Sequence, residues 1–159
     1  MSDTNSVEDQ IIVLFRLDEQ SYALYLSAVE RVIPTVEITQ LPKAPDIVMG
    51  VVNFHGAIIP VINIRKRFNL PIREIGLGDH LIIARIPNRL VALVVDSVTS
   101  VHELEHGQLV DTKEVFSYTD YLSGIAKVEN SIVLIHDLEK FLSLDEQHEI
   151  NEALSRIEK

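Results

Sequence analysis

Apolar residues occur along this chain in short runs separated by two or three polar positions. Ile11–Leu17 leads through Asp18-Glu19-Gln20 into Ser21–Leu26, which reads as a hairpin. Val51–Phe54 and Ala57–Ile62 flank His55-Gly56, where glycine supplies the positive φ of a tight two-residue loop. Leu81–Ile86 and Leu90–Val95 flank Pro87-Asn88, with proline fixing φ at the first corner and asparagine tolerating the second. Ile125–Val128 and Ser131–Ile135 flank Glu129-Asn130 in the same way. Even the longest runs, such as Leu90–Val95, are strand-sized and far from the ~20 residues of a membrane helix. One longer helix is signalled near the end: Ser143 and Glu146 form a capping box, and Ile150, Ala153, Leu154 and Ile157 make one apolar stripe. Asp137–Leu142 reads as a shorter helical stretch and Arg65–Phe68 as a single turn.

The chain also repeats itself. Gly50–Phe68 lies on Gly124–Leu142 without a gap, pairing Ile58 with Ile132, Val61 with Ile135, Asn63 with Asp137 and Lys66 with Lys140. That alignment has an offset of 124 − 50 = 74. Upstream, Arg16-Leu17, Ala23-Leu24 and Val29 match Arg85-Ile86, Ala92-Leu93 and Val98, at an offset of 92 − 23 = 69. Each unit is thus about 70 residues of strands followed by a short helical piece. The expected fold is all-β: two similar small barrels, since closure removes exposed edges, with short helical pieces and a C-terminal amphipathic helix. Residues 1–10 read as a flexible acidic N-terminus, 11–142 as a single domain of two intertwined barrel subdomains, and 143–159 as the C-terminal helix.

Composition narrows the possible partners. With 47% hydrophobic and 24% charged residues the 159-residue chain can bury a real core. A net charge of −10 repels phosphates, which argues against nucleic acid and against electrostatic docking or insertion at anionic lipid. The absence of cysteine and of a signal-like N-terminus suits a soluble protein of the cytoplasm.

The enzyme motifs present lack their settings. His102-Glu103-Leu104-Glu105-His106 spells H-E-x-x-H, which needs one helix face to present both imidazoles to zinc. Here β-branched residues precede it and Gly107 follows, so a solvated strand-to-loop segment is expected and a zinc-dependent hydrolase is the rival reading. Gly76-Leu77-Gly78 has Asp79 beside it, which repels a phosphate. Asp96 closes an apolar strand and reads as a turn cap rather than a catalytic carboxylate. No nucleophile, base and orienting group come together, so no catalytic residue, cofactor or metal is expected. His55, at a hairpin tip, must point outward, either as an ordinary turn residue or as a contact on a binding surface.

The stretch Gly50–Phe68 resembles the CheW family of chemotaxis coupling proteins, whose pattern there is roughly G-V-x-N-x-R-G-x-I-x-P-V-x-D-L-R-x-R-F. The likeness extends through Tyr22-Ala-Leu24, Leu41-Pro42, Val94–Val98, Tyr121–Ile125 and Asp137–Leu142, and so covers the whole domain. The resemblance implies two small five-stranded barrels packed around a shared core, in agreement with the repeat. It also implies a non-catalytic scaffold joining the cytoplasmic tips of chemoreceptors to the regulatory domain of the histidine kinase CheA, in the cytoplasm and recruited to membrane-associated receptor arrays. A coupling protein of a related system, for twitching motility or surface sensing, is the alternative within this class. Carried over position by position, the receptor-facing surface should include Val29, Arg31, Gly50, His55, Val98 and Val101. Three positions depart from the family: His55 stands where arginine is usual, Arg31 where glutamate is frequent, and Asn63 where aspartate is usual. Charge changes of this kind at a rim retune partner choice more than fold.

Overall fold

A computed structural model describes residues 11–105, 108–110 and 122–157. Among the described residues eleven strands run in chain order: β1 (Ile11–Leu17), β2 (Gln20–Tyr25), β3 (Val29–Pro34), β4 (Val48–Phe54), β5 (Ala57–Ile62), β6 (His80–Ile86), β7 (Arg89–Val95), β8 (Ser97–Glu103), β9 (Leu109–Val110), β10 (Leu122–Val128) and β11 (Ser131–His136). Helix α1 (Ile64–Arg67) is a single turn and α2 is Leu144–Ile157. Short 3-10 turns cover Leu26–Ala28 and Leu138–Lys140.

The strands form two sheets, in the orders β8-β1-β2-β11-β10-β9 and β3-β6-β7-β5-β4. Applying the two repeat offsets to one sheet reproduces the other, register included. Ile12 opposite Tyr25 becomes Leu81 opposite Val94, and Val51 opposite Pro60 becomes Ile125 opposite Leu134. The parallel contact of Ala23 with Ile135 becomes that of Ala92 with Val61. The irregularities match as well: β3 skips a residue between Val29 and Arg31 against β6, as β8 does between Val98 and Ser100 against β1. The repeats have exchanged their first hairpins. The β1–β2 hairpin lies among strands of the second repeat, and the β6–β7 hairpin among strands of the first. Each sheet therefore needs both repeats.

Closure follows the same rule. The chain leaving β3 returns at Thr39, whose N–H and C=O pair with Val51 of β4 at 2.9 and 2.7 Å. The chain leaving β8 returns as β9 on β10. Each barrel holds its own core, Ile12, Leu14, Ala23, Ala126, Val133 and Ile135 in one, Val52, Ile59, Val61, Leu81, Ile83 and Ala92 in the other. A third, larger core lies between them and includes Phe15, Leu24, Ile62, Ile82, Leu93, Phe141 and Ile150. Hairpin strands are thus buried on both faces, which is why they read as unbroken apolar runs instead of alternating ones.

The turns and caps follow local chemistry. His55 (φ 52°) and Gly56 (φ 87°) occupy both left-handed corners of their loop, and the Gly56 N–H donates to Asn53 Oδ1 at 2.9 Å. Asn63 caps α1, its Oδ1 accepting from the Lys66 N–H at 3.2 Å. Asparagine and aspartate serve an N-cap equally well, so this departure from the family pattern is satisfied within the fold. The Ser143–Glu146 capping box closes reciprocally at 2.9 and 3.1 Å. Of the expected apolar stripe on α2, Ile150, Ala153 and Leu154 are buried, whereas Ile157 is 45% exposed because the last turn runs past the core.

Candidate functional site

The edge strands β3 and β8 carry most of the candidate surface, and they are mates under the repeat. Val29 and Val98 occupy equivalent places beside the two bulges, half-buried against the core between the barrels. A bulge leaves one residue unpaired and re-aims its neighbours. On β3 it makes Glu30 and Arg31 exposed together, and on β8 it leads to Val101, 60% exposed. Glu30 forms an ion pair with Arg85 of β6, while the Thr99 hydroxyl donates to the Leu14 carbonyl at 3.3 Å. Val29, Arg31, Val98 and Val101 thus lie on two solvent-facing edges with apolar groups at their bases.

Gly50 and His55 have different settings. Gly50 is buried, and a Cβ there would lie 2.3 Å from the Thr39 carbonyl oxygen and 2.8 Å from the Ile38 side chain. Its lack of a side chain lets the returning chain close the barrel over β4. His55 is exposed at its hairpin tip, edge-on to Phe54 with ring centroids 4.4 Å apart.

The H-E-x-x-H stretch does not form a metal-binding helix. His102 and Glu103 lie in β8, opposite Ile12 and Ile11, and successive residues of a strand face opposite ways. His102 Nε2 is 3.2 Å from Gln108 Oε1. His106, the second member of the motif, lies outside the described residues, as does Tyr121.

Sequence reasoning missed one polar feature, because its members are scattered from residue 18 to residue 96. Arg65, 7% exposed, donates from Nη2 to Asp96 at 2.8 Å and to Asp18 at 2.9 Å, and from Nη1 to the Pro71 carbonyl at 3.0 Å. Arg73 bonds Asp79 at 2.8 and 3.0 Å and also pairs with Asp96. Burial alone would raise the Asp96 carboxyl, but hydrogen bonds from Arg65, the Asp18 amide and Arg73 outweigh it and hold it below the ordinary range. Asp79 is held low in the same way, burial being outweighed by Arg73 and the Gly76 amide. Every carboxylate here is committed to an arginine, so Asp96 is neither a base nor a simple turn cap. It binds the two repeats together.

Comparison with known proteins agrees with this geometry. The family model described as "CheW-like domain" matches residues 12–146. Among curated relatives, "Chemotaxis protein CheW" of Thermotoga maritima is 30% identical over 131 residues, spanning 82% of this chain and 86% of the relative. "Chemotaxis protein CheW" of Klebsiella aerogenes is 28% identical over 139 residues, spanning 86% and 84%. The crystal structure of the scaffolding protein TtCheW from Thermoanaerobacter tengcongensis has a TM-score of 0.79 at 30% identity, covering 87% of this chain and 95% of that one.

Proposed function

The chain belongs to the CheW-like domain family, and from that membership we propose that it couples chemoreceptors to the kinase CheA through the exposed edges β3 and β8 and the His55 hairpin. It is a chemotaxis scaffold protein. The observation that carries this reading is the ordered match along residues 12–146, together with a fold that superimposes on a scaffolding protein over nearly its full length. Within the proposal, the regulatory domain of the kinase and the cytoplasmic tip of the receptor are the two contacting parts. The protein works in the cytoplasm, drawn to receptor arrays by those contacts. No helix among the described residues is long and apolar enough to cross a membrane, in keeping with recruitment by partners.

Val29, Arg31, Val98 and Val101 supply an apolar base with a charged rim, the usual division of labour in a specific interface. Gly50 supports the surface from beneath. His55 and Arg31 replace the family's usual charges and set which receptor is accepted.

The test uses the purified chain with a receptor cytoplasmic fragment and, separately, with the kinase regulatory domain. Val101→Asp and His55→Ala should each weaken receptor binding about tenfold or more, a loss of ~1.4 kcal/mol, while kinase binding and the unfolding midpoint stay unchanged. Receptor affinity unchanged in both variants would remove these residues from the contact. An unmodified chain that binds neither partner would overturn the coupling role.

A further inference from the structure

The Arg65 cluster fills a cup whose walls are Met49 of β4, Asn63 at the start of α1, and Val94 and Asp96 at the end of β7. The filling comes from the segment that leads into β6. Pro71 accepts from Arg65, Arg73 pairs with Asp79 and Asp96, and Ile75 lines the same cup, leaving a hollow of only about 20 Å³.

The repeat offsets carry this cup onto the other barrel position by position. Met49 becomes Ser123, Asn63 becomes Asp137, Val94 becomes Tyr25 and Asp96 becomes Ser27. All four of these mates line a single cavity of about 820 Å³. Its remaining wall includes the β6–β7 hairpin, the mate of the β1–β2 hairpin that supplies Asp18 to the first cup. The two cups share walls by symmetry and differ in what fills them.

The same operation identifies the missing filler. Residues 71–79 precede β6, and β6 is the mate of β1, so the equivalent segment is the one that precedes β1, within residues 1–10. The polarity is inverted to match. Asp18 and Asp96 of the first cup become Pro87 and Ser27, and Arg85 and Arg89 line the cavity. Arg85 also pairs with Glu30, and among the described residues Asp137 is the one acidic residue on the wall. The first filler brings an arginine to an acidic cup. Residues 1–10 bring Asp3, Glu8 and Asp9, with no lysine or arginine, to a cup bordered by arginines.

We infer that residues 1–10 dock in this cavity as residues 71–79 dock in the first, with their carboxylates toward Arg85 and Arg89. The path is short: Ile12 lies opposite Tyr25, itself a wall residue, and ten extended residues reach ~35 Å. The inference rests on the repeat and the cavity, independently of the coupling role.

A single nitroxide on Ser6→Cys tests it, since the chain has no other cysteine and Ser6 is the mate of Ile75. In amide spectra of the full chain, the signals of Ser27, Asn88 and Ser123 should broaden severalfold more than those of Gly76 and Gly78 beside the first cup. Equal broadening of the two groups would overturn the inference and leave the cavity for a partner's segment. In Arg85→Glu/Arg89→Glu the preference should disappear while the unfolding midpoint shows the chain still folded. Salt at 1 M, which screens exposed charges to ~3 Å, should act likewise on the unsubstituted arginines. A preference that survives both treatments would overturn the carboxylate–arginine pairing.

Discussion

Arg65 and Asp96 belong to different repeats, 31 positions apart, and meet at 2.8 Å in the space between the barrels. Arg65 also holds Asp18 of its own repeat, whose amide donates to Asp96 at 2.7 Å. Each barrel borrows a hairpin from the other repeat, and this triangle fastens the β1–β2 turn to the end of β7 where those hairpins cross over.

Breaking the triangle should be costly. Asp96→Ala leaves Arg65 with Asp18 and the Pro71 carbonyl, and Arg73 with Asp79 as its remaining carboxylate, so loss of the shared charged hydrogen-bond acceptor should cost ~1.5–3 kcal/mol. Urea unfolding should show the midpoint falling with little change in slope. A loss within ~0.5 kcal/mol would mean that Asp18 and Asp79 alone suffice to hold the two arginines.

Acid should weaken the fold in a defined direction. Asp79, Asp96 and Glu146 are all held below their ordinary values of 3.8, 3.8 and 4.5 in the folded chain, each because arginine and amide hydrogen bonds outweigh burial. The unfolded chain therefore binds more protons, so stability is full above about pH 5.5 and declines as pH falls through and below 4.5. Unfolding midpoints from pH 7 to pH 3 should trace this decline, and Asp96→Asn should flatten it.

Gly50→Ala should destabilise the protein by ~1–3 kcal/mol, because the added methyl meets a backbone carbonyl that cannot move aside without opening the Thr39–Val51 bridge. Calorimetry checks this. A variant that loses partner binding at an unchanged melting temperature would instead make Gly50 a direct contact.

The start of the C-terminal helix is fixed by one residue with two jobs. Glu146 closes the capping box with Ser143 and bonds Arg67 of α1 at 2.6 and 2.7 Å. Ser143→Ala should cost ~1 kcal/mol. Glu146→Ala should cost more and raise amide exchange along Leu144–Ile157 specifically.

Because the hairpins are exchanged, neither repeat can complete a barrel alone. Fragments 1–74 and 75–159 should each lack strand signal in circular dichroism and regain it when mixed at equimolar ratio. A folded isolated fragment would show that the exchange is dispensable.

Much of this was legible in the residues. The hairpins announced themselves through His55-Gly56, Pro87-Asn88 and Glu129-Asn130, because the second corner of each tight loop takes a glycine or asparagine that tolerates positive φ. The capping box marked the start of α2, since its two hydrogen bonds are local. The weakest signals came from β3 and β8, the very strands that carry Val29, Arg31, Val98 and Val101. An edge strand faces solvent on much of its length, and a bulge breaks the alternation by which a strand is read. The Arg65 cluster was equally hidden, because nothing in the spacing of Asp18, Arg65, Arg73, Asp79 and Asp96 marks them as neighbours.

What the amino-acid order determined by itself was therefore local and periodic: strand runs, loop chemistry, one capped helix, a repeat and the family it belongs to. Only the tertiary structure decided that the repeats trade hairpins, that Arg65 joins them, and that one cup is filled while its mate holds a cavity. The reason is physical. Turns and caps are satisfied within a few residues of chain, whereas sheet partners, buried charges and cavities depend on which distant segments can bury apolar surface together.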